Sequence, residues 1–338
     1  MMANYPEASE IEAIIKAAHK IMVIQADNPD ADSLASSLAL EQILGDLDKE
    51  VVMYCGVDLP SYLMYLPGSD RVVNDVPTDF DASIIVDTSS DSLLEQLNKR
   101  GTKNWIAAKP VIVLDHHATE PTIKFAQVIC NPPAVATSEI IYELCKQLHW
   151  SINSTAGDMI AIAILSDSMG LSSDSTTARS IHIIAELVEA GVKLAEIESA
   201  RRETMRREPE LVHYKGQLLQ RVEFYDNDRI AMLSIPWEEN EKYSPMYNPP
   251  MLVIDDMRLA KDTAVAICFK LYRDGKITAK IRCNYGKGIA DKLAEHFGGG
   301  GHAYASGFKL VGRQYEEIKN ETIKVASELL DALEHHEQ

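Results

Sequence analysis

Residues 111–120 read VIVLDHHATE. Four apolar residues predict a buried strand, and Asp115, His116 and His117 cut that strand off abruptly. The same design recurs upstream. KIMVIQA (20–26), EVVMYC (50–55), ASIIVD (82–87) and PVIVLD (110–115) are short apolar runs of the kind that a parallel sheet buries on both faces. Between the first two, DSLASSLALEQILG (32–45) sets Leu34, Leu38 and Ile43 near one face, with Ser33 as N-cap and Gly45 as the stop, and so predicts a helix. Strand, helix and strand in repetition give a doubly wound α/β domain.

In open sheets of this kind ligands bind beyond the carboxyl ends of the strands, and here those ends carry acids. The first run leads into Asp27, Asp30 and Asp32, the third ends at Asp87, and the fourth ends at Asp115, His116 and His117. Asp167, in AILSDSMG, closes a further apolar run. A single aspartate after a strand is usually a helix cap or a turn residue. Four such features at one sheet edge are another matter, because gathered carboxylates repel one another and lose hydration at high cost. Divalent cations remove that problem, and several carboxylates with an imidazole suit Mn²⁺ or Mg²⁺ better than zinc. A carboxylate bridging two ions roughly 3.5–4 Å apart is the usual arrangement for phosphate-ester hydrolysis.

The pattern turns helical from residue 154 to 192, and a charged helical stretch from 193 to about 222 predicts a connector. A second α/β domain follows, with strands at 229–236, 263–272 and 276–285, a proline- and tyrosine-bearing loop at 238–250, and a helix at 288–297. The predicted boundaries are thus 1–192, 193–225 and 226–338. GGGGHAYASG (298–307) ends the last helix with four glycines where one would serve as a cap. Backbone N–H groups of Gly299, Gly300 and Gly301 predict a nest for an anion, with His302 adding a donor. Arg282, in the strand AKIRCNY, is a second candidate for phosphate or base contact, although an arginine on an exposed strand face needs no ligand. RRETMRR (201–207) reads as a solvated helix face.

Charge follows the same division. The chain carries a net charge of −18, which argues against a protein that coats long nucleic acid. Residues 1–190 hold 11 Lys/Arg against 27 Asp/Glu, whereas residues 226–312 hold 12 against 11. The acidic half is suited to cations, and the other half to an anion. Five cysteines without a CxxC pair exclude a zinc or disulfide framework and predict reduced, buried thiols in a cytoplasmic protein. The N-terminal stretch lacks the basic start and long apolar run of a signal peptide, and no run is long enough to cross a bilayer.

PDADS, IIVDTSS, LDHHATE, AILSDSMG, KIRCNY and GGGGHAYASG together resemble the DHH phosphoesterases that carry a C-terminal DHHA1 domain, closest to the NrnA-type oligoribonuclease (nanoRNase/pAp phosphatase) branch. The resemblance spans nearly the whole chain. It implies two domains with the active site in the cleft between them, two Mn²⁺ ions with Mg²⁺ as substitute, and hydrolysis by metal-activated water. On that pattern Asp30 ligates one ion and Asp32 the other, Asp87 bridges them, and His116 and Asp167 complete the ligand set of the second ion. His117 contacts the substrate phosphate, Asp115 orients the histidines, and Arg282 with His302 and its glycines grips the distal phosphate or nucleotide. The implied substrates are short RNA or DNA oligonucleotides, linear dinucleotides or nucleotide bisphosphates, and a homodimer is implied by analogy. One position departs from the family: a histidine four residues before the first Asp of the DxD is here Ala26. The first ion then lacks a nitrogen ligand unless Asp27 or Gln25 reaches in, or water fills the gap. A nucleotide-binding regulatory relative with a weakened metal site, and a RecJ-like single-strand exonuclease, are the alternatives.

Overall fold

A computed structural model describes residues 4–336, and by its contacts the chain divides into two compact units, Met1–Arg206 and Arg207–Gln338. In the first unit the elements run α1 (Ala8–Ala17), β1 (Lys20–Ile24), α2 (Ala31–Gly45), β2 (Glu50–Tyr54), β3 (Ala82–Val86), α3 (Glu95–Lys99), α4 (Lys103–Ala107), β4 (Val111–Leu114), β5 (Val128–Cys130), α5 (Thr137–Leu148), α6 (Ser154–Asp167), α7 (Ala178–Glu189) and α8 (Leu194–Thr204). The sheet is wholly parallel, in the order β2-β1-β3-β4-β5. The chain leaves β1 to one side and resumes at β3 on the other, so the topological switch point lies between the carboxyl ends of β1 and β3.

Strand residues alternate between two apolar layers. Ile21, Val23, Ile84, Val86, Ile112 and Leu114 face a core shared with α2, α5 and α6, while Met22, Ile24, Ile85, Val111 and Val113 face Leu97 of α3 and Ile106 of α4. Helix α2 is buried nearly all round, and its small residues (Ala35, Ser36, Ser37 and Ala39) permit close approach of its neighbours. The Ser36 and Ser37 hydroxyls are satisfied within the helix, by Asp32 at 2.9 Å and the Ser33 carbonyl at 2.8 Å. The N-cap of α2 is Asp30 rather than Ser33; Ser33 closes the reciprocal capping box three residues on. The short strand β5 carries too few residues to register as a periodic run.

In the second unit follow α9 (Pro209–Leu219), β6 (Glu223–Tyr225), β7 (Ile230–Ile235), α10 (Trp237–Tyr243), α11 (Pro250–Arg258), β8 (Val265–Leu271), β9 (Lys276–Cys283), α12 (Ala290–His296), β10 (Gly300–His302), β11 (Ala305–Val311) and α13 (Tyr315–His336). The sheet order is β10-β11-β9-β8-β7-β6, antiparallel except for β7 with β8. Residues 193–222 are two helices and not one connector. The break falls before Pro209, which occupies the first turn of α9, a place where its missing N–H costs nothing. The segment 238–250 is likewise not all loop, since α10 takes up its first half. All five cysteines are free and buried, and among the described residues no helix is long and apolar enough to cross a membrane.

Candidate active site

The carboxyl ends of β1, β3 and β4 and the end of α6 bring Asp32, Asp87, His116 and Asp167 together. Asp32 is fully buried and accepts hydrogen bonds from the backbone N–H of Thr137 (2.7 Å) and Ser138 (3.4 Å) and from Ser36 Oγ (2.9 Å). Asp87 is buried in the left-handed region, φ +60°, a conformation that aspartate tolerates better than most residues, and accepts from Thr137 Oγ1 at 3.2 Å. The turn after Asp167 is also left-handed, with positive φ at Met169, Gly170 and Leu171 in succession. Such strain concentrates where function requires it.

His116 decides what this cluster is for. Its Nδ1 lies 3.2 Å from the Ala134 carbonyl, which can only accept, so Nδ1 carries a proton and Nε2 is the ring atom left to meet a ligand. Nε2 is buried, has no hydrogen-bond partner, and stands 3.4 Å from Asp87 Oδ1, 3.5 Å from Asp167 Oδ2 and 3.7 Å from Asp32 Oδ2. Three carboxyl oxygens thus converge on Nε2, and each distance is long for a hydrogen bond. Ligand atoms placed about 2.0–2.2 Å from one cation stand roughly 3.0–3.5 Å apart, so the spacing and the donor set fit a divalent ion. Two groups of ligand atoms, Asp32–His116–Asp167 and Asp87–His116–His117, each lie within 4.8 Å of one another.

The carboxyl groups feel the crowding. Burial raises the pKa of Asp32, and burial with the neighbouring Asp32 and Asp30 charges raises that of Asp87 far above the usual carboxylate range. Asp167 is pushed up to about 7 by burial and by Asp32 and Asp30. Asp115 behaves differently: burial opposes its charge, but hydrogen bonds from the His117 ring (2.7 Å) and backbone (3.2 Å) outweigh that and hold it below its ordinary value. The same bond to Asp115 raises the pKa of His117, whose ring is half exposed.

The remaining acids do not all join. Asp30 is exposed, and its Oδ1 accepts from Ser33 N at 3.0 Å as the cap of α2; it belongs to neither ligand group. Asp27 is committed elsewhere, since Oδ2 accepts from the backbone N–H of Gln96 at 2.8 Å. Ala26 offers no donor, whereas Gln25 is fully buried with both amide atoms unpartnered.

A segment that the sequence reading passed over holds the cluster in place. Residues 134–139, entering α5, supply the carbonyl that fixes His116, the two N–H groups that hold Asp32 and the hydroxyl that holds Asp87. Val135 N is tied to Glu139 Oε2 at 3.3 Å, and Glu139 Oε1 pairs with Arg179 at 3.1 Å, with Glu143 and Tyr5 completing a buried network around the guanidinium. The only sequence signal was ATSE following a short apolar run.

In the second unit the cross-strand register sets Arg282 beside Ala305, Lys280 beside Gly307 and Thr278 beside Lys309, and His302 beside Ala305. Lys270 joins the same face through its pairing with Thr278. Helices α9 and α11 cover the β7–β8 part of this face, and α11 reaches β9, where Met251 Sδ lies 3.3 Å from Lys280 Nζ. The rest is a cationic shelf floored by Gly300, Ala305 and Gly307. Lys270, Lys280, Arg282 and Lys309 take part in no ion pair among the described residues. Burial, with Arg282 and Lys270 nearby, holds the Lys280 ammonium below its ordinary pKa. The glycines are not a loose nest, as the sequence suggested: Gly300–His302 is an edge strand, and a Cβ on Gly299 or Gly301 would meet the backbone of β11 at 2.3 or 2.6 Å. Gly298, at φ +72°, is the turn residue that ends α12. Gly298 and Gly300 have open space around them. Lys280 and Arg282 lie in the stretch KITAKIR, whereas Lys270 and Lys309 come from the neighbouring strands.

Residues 20–164 match the model of the DHH family, N-terminal domain. The chain carries a DHH-family domain. It is similar to the bifunctional oligoribonuclease and PAP phosphatase NrnA of Thermus thermophilus, with 26% identity over 306 residues covering 90% of this chain and 88% of that one. The enzyme of the same name from Bacillus subtilis is 23% identical, covering 82% of this chain and 85% of its own. In fold the chain is similar to the crystal structure of an exopolyphosphatase-related protein from Bacteroides fragilis, at a TM-score of 0.77 and 20% identity, covering 96% of this chain and 97% of that one.

Proposed function

We propose that the chain is a divalent-metal-dependent hydrolase of phosphoester bonds acting on short nucleotides: oligonucleotides of a few residues, linear dinucleotides, or 3′,5′-bisphosphorylated adenosine. The observation that carries this reading is the unpartnered His116 Nε2 amid three carboxylates. The names of the two NrnA relatives support the substrate class. Asp32, Asp87, His116 and Asp167 would hold the metal, with Mn²⁺ preferred and Mg²⁺ accepted on the strength of a mainly carboxylate donor set. When bound, the ions supply Lewis acidity at the phosphoryl group. The chain's own residues do the rest. Thr137 and Ser138 keep Asp32 and Asp87 aimed inward, so that no reorganisation is needed at the moment of reaction. Asp115 holds His117 by Nδ1, leaving the half-exposed ring to meet a substrate phosphate oxygen. Arg282 and the lysines of the shelf bind the anionic end of the substrate.

The test is to incubate the protein with pApA, a five-nucleotide RNA and pAp, with Mn²⁺ or with EDTA, and to resolve the products by chromatography. Release of AMP with Mn²⁺, abolished by EDTA and by His116→Ala, is the expected result. Nucleotide binding without any release at millimolar Mn²⁺ would replace the enzyme with a binding protein whose first metal position lapsed at Ala26.

A further inference from the structure

We propose that the acidic edge keeps one resident divalent ion, and that a second position beside it, without a nitrogen ligand at Ala26, fills only when a phosphorylated ligand arrives. The inference rests on the hydrolase reading above and deepens it. The ligand atoms can be counted one by one. Both groups, Asp32–His116–Asp167 and Asp87–His116–His117, draw on His116. With Nδ1 turned to the Ala134 carbonyl, that ring offers Nε2 alone, and one ring nitrogen serves one ion. The His117 nitrogen that faces the cluster is Nδ1, 3.9 Å from Asp87 Oδ1, and it is already bonded to Asp115 Oδ1 at 2.7 Å. The two groups therefore do not add up to two sites. They describe one, in which Asp32, Asp87 and Asp167 surround Nε2.

What remains for a second ion lies toward β1. Strands β1 and β3 pair as far as Ile24 and Ile85, and two residues on the same register sets Ala26 beside Asp87. A ligand at position 26 would share an ion with Asp87, and alanine supplies none. Its neighbours do not make up the loss. Gln25 takes the opposite face of the strand. Asp27 is turned to α3: its Oδ2 accepts from Gln96 N at 2.8 Å, and a Cβ on Gly56 would stand 2.3 Å from its Oδ1. Asp30, at the start of the helix that carries Asp32, gives Oδ1 to the Ser33 N–H at 3.0 Å and keeps Oδ2. The second position can thus count on one carboxylate from Asp30 and a share of Asp87. So few protein oxygens hold a hard cation only in company with water and phosphate oxygens, as Mg²⁺ is held at phosphoryl-transfer sites.

The experiment titrates Mn²⁺ into the full chain, stripped with EDTA and desalted, with and without 5′-AMP, and follows the bound ion by calorimetry and electron paramagnetic resonance. Without AMP the chain is expected to bind one ion and to show the spectrum of isolated Mn²⁺. With AMP a second ion should bind, and the spectrum should become that of an exchange-coupled pair. Asp30→Asn keeps the helix cap, since asparagine caps as well as aspartate. It should retain the resident ion and lose the second. Ala26→His should tighten the second ion at least about tenfold in the absence of AMP, because even a residue that only orients a ligand is worth about 10- to 100-fold in metal affinity. Two ions in wild type without AMP, or one ion whether or not AMP is present, overturns the proposal, and so does a second ion that survives Asp30→Asn. Turnover by a chain with two resident ions would keep the hydrolase reading and remove this one. One resident ion, joined by a second with AMP in a chain that hydrolyses nothing, would do the opposite.

Discussion

The carboxyl edge of the parallel sheet and the open half of the mixed sheet make the same choice with opposite signs. At the first, Asp32, Asp87 and Asp167 crowd together around a histidine nitrogen that has no hydrogen-bond partner. At the second, Lys270, Lys280, Arg282 and Lys309 share a face without one carboxylate partner among the described residues. Elsewhere the chain pairs charges freely, as in Arg179 with Glu139 and Glu143. Two places that withhold the counter-charge are built for one arriving from outside, a cation at the acidic edge and an anion on the basic shelf. The acidic site is rigid, buried and held by backbone donors, as metal ligands must be. The basic one is shallow and floored by glycine and alanine, as suits a ligand that comes and goes.

If the acidic edge is a metal site, removing its nitrogen should cost most. His116→Ala is expected to lower turnover by roughly 10³-fold or more, a rise of about 4 kcal/mol in the barrier. It should also abolish the stabilisation that Mn²⁺ gives in a thermal melt. Loss of turnover with the Mn²⁺-induced shift intact would mean that His116 serves the substrate and not the metal. The basic shelf should answer differently. Arg282→Ala is expected to raise KM roughly 10- to 100-fold, about 1.4–2.7 kcal/mol, with kcat within a few-fold. A fall in kcat alone would remove the distinction between a site for chemistry and a site for binding.

Much of this contrast was legible in the sequence, for a physical reason. Strands buried on both faces must be apolar throughout, so a polar residue at their end stands out, which is how Asp87, Asp115, His116 and His117 were found. Burial also made the second half readable: alternation in KITAKIRC matches the alternately buried residues of β9. What stayed hidden depends on partners distant in sequence. Nothing local distinguishes Asp27, bonded to Gln96, from Asp32, bonded to Thr137 across more than a hundred residues. Gly299 and Gly301 suggested an anion nest because the approach of β11 cannot be seen from the glycines alone. The role of Thr137 was invisible for the same reason, since its value lies in what it touches.

That role gives a smaller, sharper test of why the acidic edge is rigid. Thr137→Val keeps the backbone donor to Asp32 but removes the hydroxyl that holds Asp87. Metal affinity or turnover should fall about tenfold, the usual scale for a residue that orients a ligand. Thr137→Ser, which restores the hydroxyl, should recover most of it. Loss in Thr137→Ser with Thr137→Val unaffected would point to packing of the buried methyl group and not to the hydrogen bond.

The smallest effect separates the two regions by pH. Asp32, Asp87 and Asp167 have raised pKa values in the fold, about 7 for Asp167, so the native state binds protons more tightly than the unfolded chain. The stability they contribute is complete below the unfolded carboxyl value of about 4 and is lost as pH rises through the folded values. His117, raised by Asp115, acts with the same sign, losing its contribution as pH climbs past its folded value. In EDTA the melting temperature should therefore fall by a few degrees from pH 5.5 to pH 8. Asp167→Asn should flatten that slope. Mn²⁺ competes with those protons, so its stabilisation should grow over the same interval and cancel the fall. A melting temperature that rises with pH in EDTA would mean that the cluster holds no extra protons, and that its charges are already balanced within the fold. The acidic edge would then differ from the basic shelf in more than sign.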